Sequence, residues 1–373
     1  MIKLIKNTFY KEKTTKLKLM WFIARAKQLS FGPKCEEFEK EFSLWQMRQH
    51  SIFVNSGSSA NLALIQALIN LGRLKKGDKV GFSALGWATT VMPIIELGLE
   101  PVAIDIDYDS LNVPDYNIPK GIKALFLTNI LGFSSNIEAI VKVCKKNKII
   151  LLEDNCEGLG STYNGEKFGN FGLASTFSFY VGHHMSTIEG GMVCTNDSKL
   201  AEQLRIVRAH GWDRNLDAAS QKRIRDDYHL SSFNSRYTFY SNGYNLRPTE
   251  IQGFLGLVQL KYIDDVIAKR EQNWEYITGG HSVDRVSNFA IPIICRNNEE
   301  RNFAVAALAN LVETRPIVGG DLTQQPFYPY KNQRCPIARI VNERGFYVAN
   351  NPDLNKKELL LLKYVYNKYH LKD

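Results

Sequence analysis

The chain has 373 residues, 44% of them hydrophobic and 23% charged, a balance that excludes a disordered chain and allows a large core in about two domains. Its formal net charge of +9, from 47 basic and 38 acidic residues, is spread along the sequence. Without a basic block the pattern argues against nucleic acid and leaves an anionic small substrate or an ordinary solvated surface. No apolar stretch approaches the ~20 residues of a membrane helix. The run at residues 19–24 is cut by Arg25 and Lys27 before a signal-peptide core can form, so a cytoplasmic protein with no membrane partner is expected.

After the basic N-terminal segment, short apolar runs alternate with amphipathic segments as far as residue 210. Residues 52–54, 80–82, 102–106, 124–128 and 149–153 predict buried strands. Ala60, Ala63, Leu64, Ala67 and Leu68 follow the buried stripe of a helix, as does the stretch 137–145. This alternation predicts an α/β fold with a mostly parallel sheet covered on both faces. A further strand is expected to end at Gly182, with His183 at its tip. Residues 212–240 are polar, charged and aromatic and predict a long connection. One long helix is predicted over 251–277, leading into a smaller C-terminal α+β part with a helix at 303–311 and a Gly-, Pro- and Gln-rich loop at 316–329. Six cysteines (Cys35, Cys144, Cys156, Cys194, Cys295, Cys335) stand singly, with no Cys-x-x-Cys pair. No metal or iron–sulfur site is expected from them, and they read as reduced, buried thiols.

Four stretches can carry chemistry. In NSGSSAN, residues 55–61, Gly57 flanked by serines joins a strand to a helix. A helix N-terminus offers free N–H groups and a positive dipole end, which suits a phosphate, although serines also cap helices with no ligand. In GWATTV, Trp87 follows the strand at 80–82, at the sheet edge where α/β proteins bind ligands; it either stacks on a planar ring or closes a loop in the core. LLEDNCEG brings Glu153, Asp154 and Glu157 to the end of the strongest strand. A carboxylate there is costly unless paired. A protonated ring nitrogen would give the aspartate a use, because it turns a cofactor into an electron sink; a turn cap is the alternative. In FSFYVGHHMSTIEGG, adjacent His183 and His184 precede a Gly-Gly turn. Neighbouring strand side chains face opposite ways, so they make a poor metal pair, and one imidazole is left as an acid–base group or a structural histidine.

In this order the parts resemble a pyridoxal phosphate enzyme of the aspartate aminotransferase fold. From LSFGPKCEEFEKEF through NSGSSAN, LLEDNCEGLGSTYNGEKFGNFG and FSFYVGHHMSTIEGG to GYNLRPTEIQ, the sequence resembles the DegT/DnrJ/StrS family of sugar aminotransferases over nearly its whole length. The resemblance implies a large cofactor-binding domain at 29–250 and a small α+β domain at 251–373. The segment 1–28 matches the family poorly. The chain departs from the family five residues after Ser178, where a cofactor-bonding lysine is expected and His183 stands. An imidazole cannot form the covalent bond that a lysine amine forms with the cofactor. The chain is therefore similar to the branch in which histidine replaces lysine, and RAHGWDRN at 208–215 and ETRPIV at 313–318 strengthen this.

The resemblance further implies a homodimer with shared active sites. In it Gly57, Ser58 and Ser178 hold the cofactor phosphate, joined by the partner subunit's Asn245. Trp87 stacks on the ring, Asp154 pairs with its nitrogen and Glu157 lies near its 3-hydroxyl. His183 is the base, His210 lies close to the substrate and His184 is structural. Arg247 and Arg315 are assigned to carboxylate or phosphate groups, which guanidinium geometry suits. The implied cofactor is pyridoxal 5'-phosphate together with its pyridoxamine form, made from L-glutamate. The implied reaction removes the 3-hydroxyl of a nucleotide-linked 4-keto-6-deoxy sugar, first of all a GDP-linked one, and releases ammonia. An aminotransferase and a cofactor-holding pseudoenzyme are the alternatives.

Overall fold

The computed structural model describes residues 1–280, 282 and 284–371. Its strands in chain order are β1 (His50–Val54), β2 (Lys79–Ser83), β3 (Glu100–Ile104), β4 (Ala124–Thr128), β5 (Ile150–Asp154), the short hairpin β6 (Thr162–Tyr163) and β7 (Glu166–Lys167), β8 (Ala174–Ser178), β9 (Gly191–Thr195), β10 (Ala290–Ile294) and β11 (Gly345–Ala349). Seven of them form one sheet in the order β1-β9-β8-β5-β4-β2-β3. Only β9 runs antiparallel to its neighbours β1 and β8; the remaining pairs are parallel.

Every position of β4, β8 and β9 is buried, as a sheet covered on both faces requires. Alternation divides the side chains between layers. Ile52, Val54, Phe126 and Leu152 pack with Ala60, Leu64 and Leu68 of the helix Gly57–Asn70 and with Leu204 of the helix Ser198–Arg208. On the other face, Leu125, Leu127 and Leu151 meet Ile137, Ile140 and Cys144 of the helix Ile137–Asn147. Beside them, Phe53 and Phe177 join Phe38 and Phe42 of the helix Pro33–Gln46. Phe38 meets Phe53 edge-on at 4.9 Å, and Phe42 meets Phe177 edge-on at 5.4 Å. Each such buried ring contributes roughly 1.5–3 kcal/mol through area removed from water.

A second core surrounds the antiparallel pair β10–β11, where Ile291, Ile293, Phe346 and Val348 pack with Leu308, Leu362 and Val365. The N-terminus is anchored there: the Ile2 N–H donates to the Leu311 carbonyl at 2.8 Å, and the Glu313 N–H donates to the Ile2 carbonyl at 2.8 Å. The apolar run at 19–24 belongs to the helix Glu12–Arg25, whose Phe22 stacks on Phe254 at 4.4 Å. Among the described residues no helix is long and apolar enough to cross a membrane.

Four expectations change in detail. The strand expected to end at Gly182 ends at Ser178. The chain then turns, with the Ser178 hydroxyl accepting from the Tyr180 N–H and the His183 N–H donating to the Tyr180 carbonyl. The long helix over 251–277 is two helices, Glu250–Leu260 and Ile263–Thr278; Asp264 and Asp265 in the first turn of the second favour a fresh N-terminus. The connection at 212–240 contains the helix Ala218–Asp227, started by the Asp217 carboxylate accepting from the Ala219 and Ser220 N–H groups. The third strand stops at Ile104, because the next residue, Asp105, turns to accept N–H bonds from Ile337 and Ala338, both at 2.9 Å.

One buried ion pair ties the two faces together. The Arg208 guanidinium donates to the Glu39 carboxylate and to the Phe53 carbonyl, and the same carboxylate accepts the Phe53 N–H at 2.8 Å. Removing the acid leaves a buried cation without a counter-charge. Glu39→Gln is therefore expected to lower the unfolding free energy by about 3–5 kcal/mol in urea titrations; a loss below about 1 kcal/mol would show that the pair is unimportant.

Candidate active site

The carboxyl ends of β5 and β8 and the helix starts that follow β1 and β2 open on one cavity of about 410 Å³. Gly57, Ser58, Trp87, Asp154, Glu157, Ser178, His183 and Arg315, all singled out from the sequence, line it together. The helix Gly57–Asn70 starts at its floor, capped by Ser56, whose hydroxyl accepts the Ser59 N–H at 3.0 Å. A Cβ on Gly57 would lie 2.7 Å from the Ser178 Cβ and 3.0 Å from the Cys156 sulfur. A Cβ on Gly191 would lie 2.2 Å from the Ser56 carbonyl oxygen. The Gly-Gly turn thus exists so that β9 can lie against the backbone of the Ser56–Gly57 turn. Ser56, Gly57 and Ser58 of that turn line the cavity at a helix N-terminus, a setting that favours an anion.

Asp154 is carried to the cavity by β5 and is buried. Its Oδ2 accepts from Asn61 Nδ2 at 2.9 Å and Thr90 Oγ1 at 2.8 Å, and its Oδ1 accepts the Cys156 N–H at 3.1 Å. A carboxylate held by three donors keeps its direction. Asn61 and Thr90 were not picked out from the sequence, although a polar side chain next to the apolar stripe Ala60, Ala63, Leu64 is a detectable anomaly. Glu153, the other acid of this stretch, points away from the site and pins the chain after β7 by accepting the Gly169, Phe171 and Gly172 N–H groups. Glu157 accepts the Leu131 N–H at 3.0 Å. Burial pushes its carboxyl up to about 8 against the help of that N–H, and neighbouring Asp154 pushes the same way. Glu157 therefore carries a proton at neutral pH. Trp87 caps the helix Ala88–Glu96 and is 56% exposed, an apolar ring held at the cavity rather than in the core.

The two histidines take different surroundings. His184 is buried, and its Nε2 lies 3.0 Å from the Ser287 carbonyl, so that nitrogen carries the hydrogen. The His183 ring lies between Tyr180, edge-on at 5.9 Å, and Phe289, tilted at 5.2 Å. Burial, aided by the nearby Arg270 charge, pushes His183 down to about 4; at neutral pH it is a free base. Leu4 and Ile5 also line the cavity. The Leu4 N–H donates to Glu313, and Glu313 accepts from Arg315 at 2.7 Å, which ties the N-terminal segment to the arginine of the site. No sequence motif marked that link.

His210, Asn245 and Arg247 lie apart from this cavity. Arg247 Nε donates to Asn245 Oδ1 at 3.0 Å, Arg247 Nη2 lies 3.4 Å from His210 Nε2, and the His210 ring meets Trp212 edge-on at 4.9 Å. They share a surface cluster with exposed Asn245. The segment is nonetheless adjacent in the chain's hydrogen bonding, since the Asn55 N–H donates to the Leu246 carbonyl. Among the described residues no group of three or more His, Cys, Asp or Glu side chains could hold a metal ion.

A mostly parallel seven-stranded sheet, a helix N-terminus facing a strand-end aspartate and a small α+β unit beyond define the aspartate aminotransferase fold. Residues 11–360 match the DegT/DnrJ/EryC1/StrS aminotransferase family, and the chain belongs to it. It is 36% identical over 351 residues to the GDP-4-keto-6-deoxy-D-mannose 3-dehydratase of Escherichia coli O55:H7, covering 87% of this chain and 90% of that one. It is 33% identical over 366 residues to the dTDP-4-dehydro-2,6-dideoxy-D-glucose 3-dehydratase of Saccharopolyspora spinosa, covering 88% and 78%. A crystal structure of GDP-4-keto-6-deoxymannose-3-dehydratase with a trapped PLP-glutamate geminal diamine superposes with a TM-score of 0.87 at 28% identity, over 98% of this chain and all of that one.

Glu157 gives the site a signature in stability. Its folded value lies above its unfolded one, so its contribution is complete below pH 4.5 and is lost as the pH rises toward 8. Across that window it removes about 1.4 kcal/mol of stability per pH unit. Glu157→Gln should show a correspondingly flatter decline between pH 5 and 7.5 in urea unfolding; parallel wild-type and variant curves would mean that the acid is ionised.

Proposed function

We propose that the chain is a pyridoxal phosphate-dependent lyase that removes the 3-hydroxyl of a nucleotide-linked 4-keto-6-deoxy sugar, with GDP-4-keto-6-deoxymannose as first substrate and L-glutamate as amino donor. The observation that carries this reading is a neutral histidine at the position of the expected lysine. Among the described residues that line the cavity there is no lysine to replace it.

The residues present fit the cofactor. The bare turn at Gly57, where no Cβ fits, with Ser58 and Ser178 suits its phosphate. Trp87 would offer a face for its ring, Asp154 would pair with its ring nitrogen, and protonated Glu157 would offer a hydrogen to its phenolic oxygen. When bound in its amine form, the cofactor supplies an amine to the 4-keto carbon and a ring that takes up electrons. His183, as a free base, takes a carbon-bound proton, and protonated it hands one to the departing 3-hydroxyl oxygen. Tyr180 and Phe289 hold the imidazole plane. Arg315, held by Glu313, is placed for a carboxylate or phosphate of the substrates. His210, Asn245 and Arg247 serve the site of a second copy, which makes the working unit a homodimer.

Two measurements test this. Purified protein given pyridoxal phosphate, glutamate and GDP-4-keto-6-deoxymannose is expected to release ammonia and a sugar lacking the 3-hydroxyl oxygen, and His183→Asn to lose at least a thousandfold in turnover. An amino sugar without ammonia would make the chain an aminotransferase instead. In spectroscopic titrations, Gly57→Ala should weaken pyridoxal phosphate binding at least tenfold, because its methyl group displaces Ser178 and Cys156; unchanged affinity would place the phosphate elsewhere.

A further inference from the structure

The wall behind His183 holds a charge that the reaction above does not use. Arg270, on the helix Ile263–Thr278, is 6% exposed. Its Nη2 donates to the His183 carbonyl at 3.0 Å, while Nε and Nη1 are buried without a partner. Among the described residues no carboxylate pairs with it. A sealed, half-satisfied guanidinium is costly, and burial pushes it down to about 9, still charged at neutral pH. It lines a small cavity of about 40 Å³ together with His183 and His184. Both histidines have buried Nδ1 atoms without a partner. That volume suits about one water molecule.

We propose that Arg270 is a positioning residue for His183: it grips the main chain of the histidine turn from behind and keeps a fixed positive charge against the imidazole, so that the ring stays unprotonated and ready to accept a proton. Local bonds shape the turn after Ser178, and the arginine bond is accepted by the carbonyl of the functional residue itself. The titratable groups of the two cavities that His183 lines divide by side. In the main cavity these are Asp154, Cys156, Glu157, Tyr180, Glu189, Glu313, Arg315 and Tyr347; behind it are Tyr10, His184, Arg270 and Asp353. After burial, Arg270 is the charge that acts on His183, and it acts downward. A cation on the blind side of the ring opposes protonation without occupying the face that meets a substrate.

The catalytic meaning rests on His183 being the base, but the test reads the imidazole itself. Imidazole carbon–proton NMR signals of the full chain, free of ligand, are followed from pH 4.5 to 8, with the His183 signal assigned as the one missing in His183→Asn. In the wild type it is expected to stay neutral through pH 5.5. Arg270→Gln, which keeps a donor for the carbonyl but removes the charge, should raise its midpoint by about one pH unit or more, a tenfold gain in proton affinity. Arg270→Lys should leave it near the wild-type position. A wild-type midpoint near 6.5, an unmoved midpoint in Arg270→Gln, or a rise in Arg270→Lys equal to that in Arg270→Gln overturns the proposal. If Arg270→Gln does not fold, the wild-type and Arg270→Lys titrations decide alone. Failure of the dehydration assay leaves this readout intact, so the two readings fail separately.

Discussion

A carboxylate at the end of a buried strand is the constraint around which this site is built. Asp154 leaves β5 with both oxygens engaged, two donors on Oδ2 and one on Oδ1. Each donor commits another element: Asn61 sets the rotation of the helix Gly57–Asn70, Thr90 the start of the helix that Trp87 caps, and Cys156 the turn that leads to Glu157. The phosphate-type turn, the exposed indole and the proton-bearing acid therefore stand in fixed relation to one charged group. A low-dielectric surround makes every one of these bonds stronger and any missing one more expensive.

Around that charge the site sorts proton donors from acceptors by environment. Asp154 accepts three hydrogen bonds, whereas Glu157, close by, accepts one N–H, and burial pushes its carboxyl up so that it keeps its proton. His183 has the reverse condition, with burial and a cation behind it, and stays neutral. An acid that keeps its proton and a base that stays without one thus share one pocket, the pairing that proton transfer in both directions needs.

Much of this was legible from the residues. The central strands and the parallel sheet follow from runs such as ALFLT and ILLED, because burial on both faces demands continuous apolar sequence. The cavity residues on short motifs, Gly57, Ser58, Trp87, Asp154, Glu157, Ser178 and His183, come together because each sits within a few residues of a strand end. What was not legible depends on contacts far apart in sequence. The break near Lys261 has no glycine or proline to announce it. The run FSFYVG reads as strand throughout, yet a serine hydroxyl takes the Tyr180 N–H and ends the pairing early. Glu313 meets Leu4 across almost the whole chain, and Arg270 reaches the His183 turn from a helix far along the sequence, so no spacing rule could find either. The cluster of His210, Asn245 and Arg247 carries family motifs but does not line the cavity of its own chain.

The antiparallel strand has a consequence for the order of assembly. Residues 50–54 pair with residues 191–195, and the Ser56–Gly57 turn is shaped by the glycines that begin that same strand. A ribosome that has delivered the first strand, its turn and the following helix has delivered one side of the cavity without its supporting wall. The turn can set only after residue 195 emerges, and the first residues must wait longer still, until Val312 arrives to pair with Ile2. Nascent chains of this protein thus pass through a long interval with an edge of β1 uncovered, and their yield in cells depends on how that edge is shielded during synthesis.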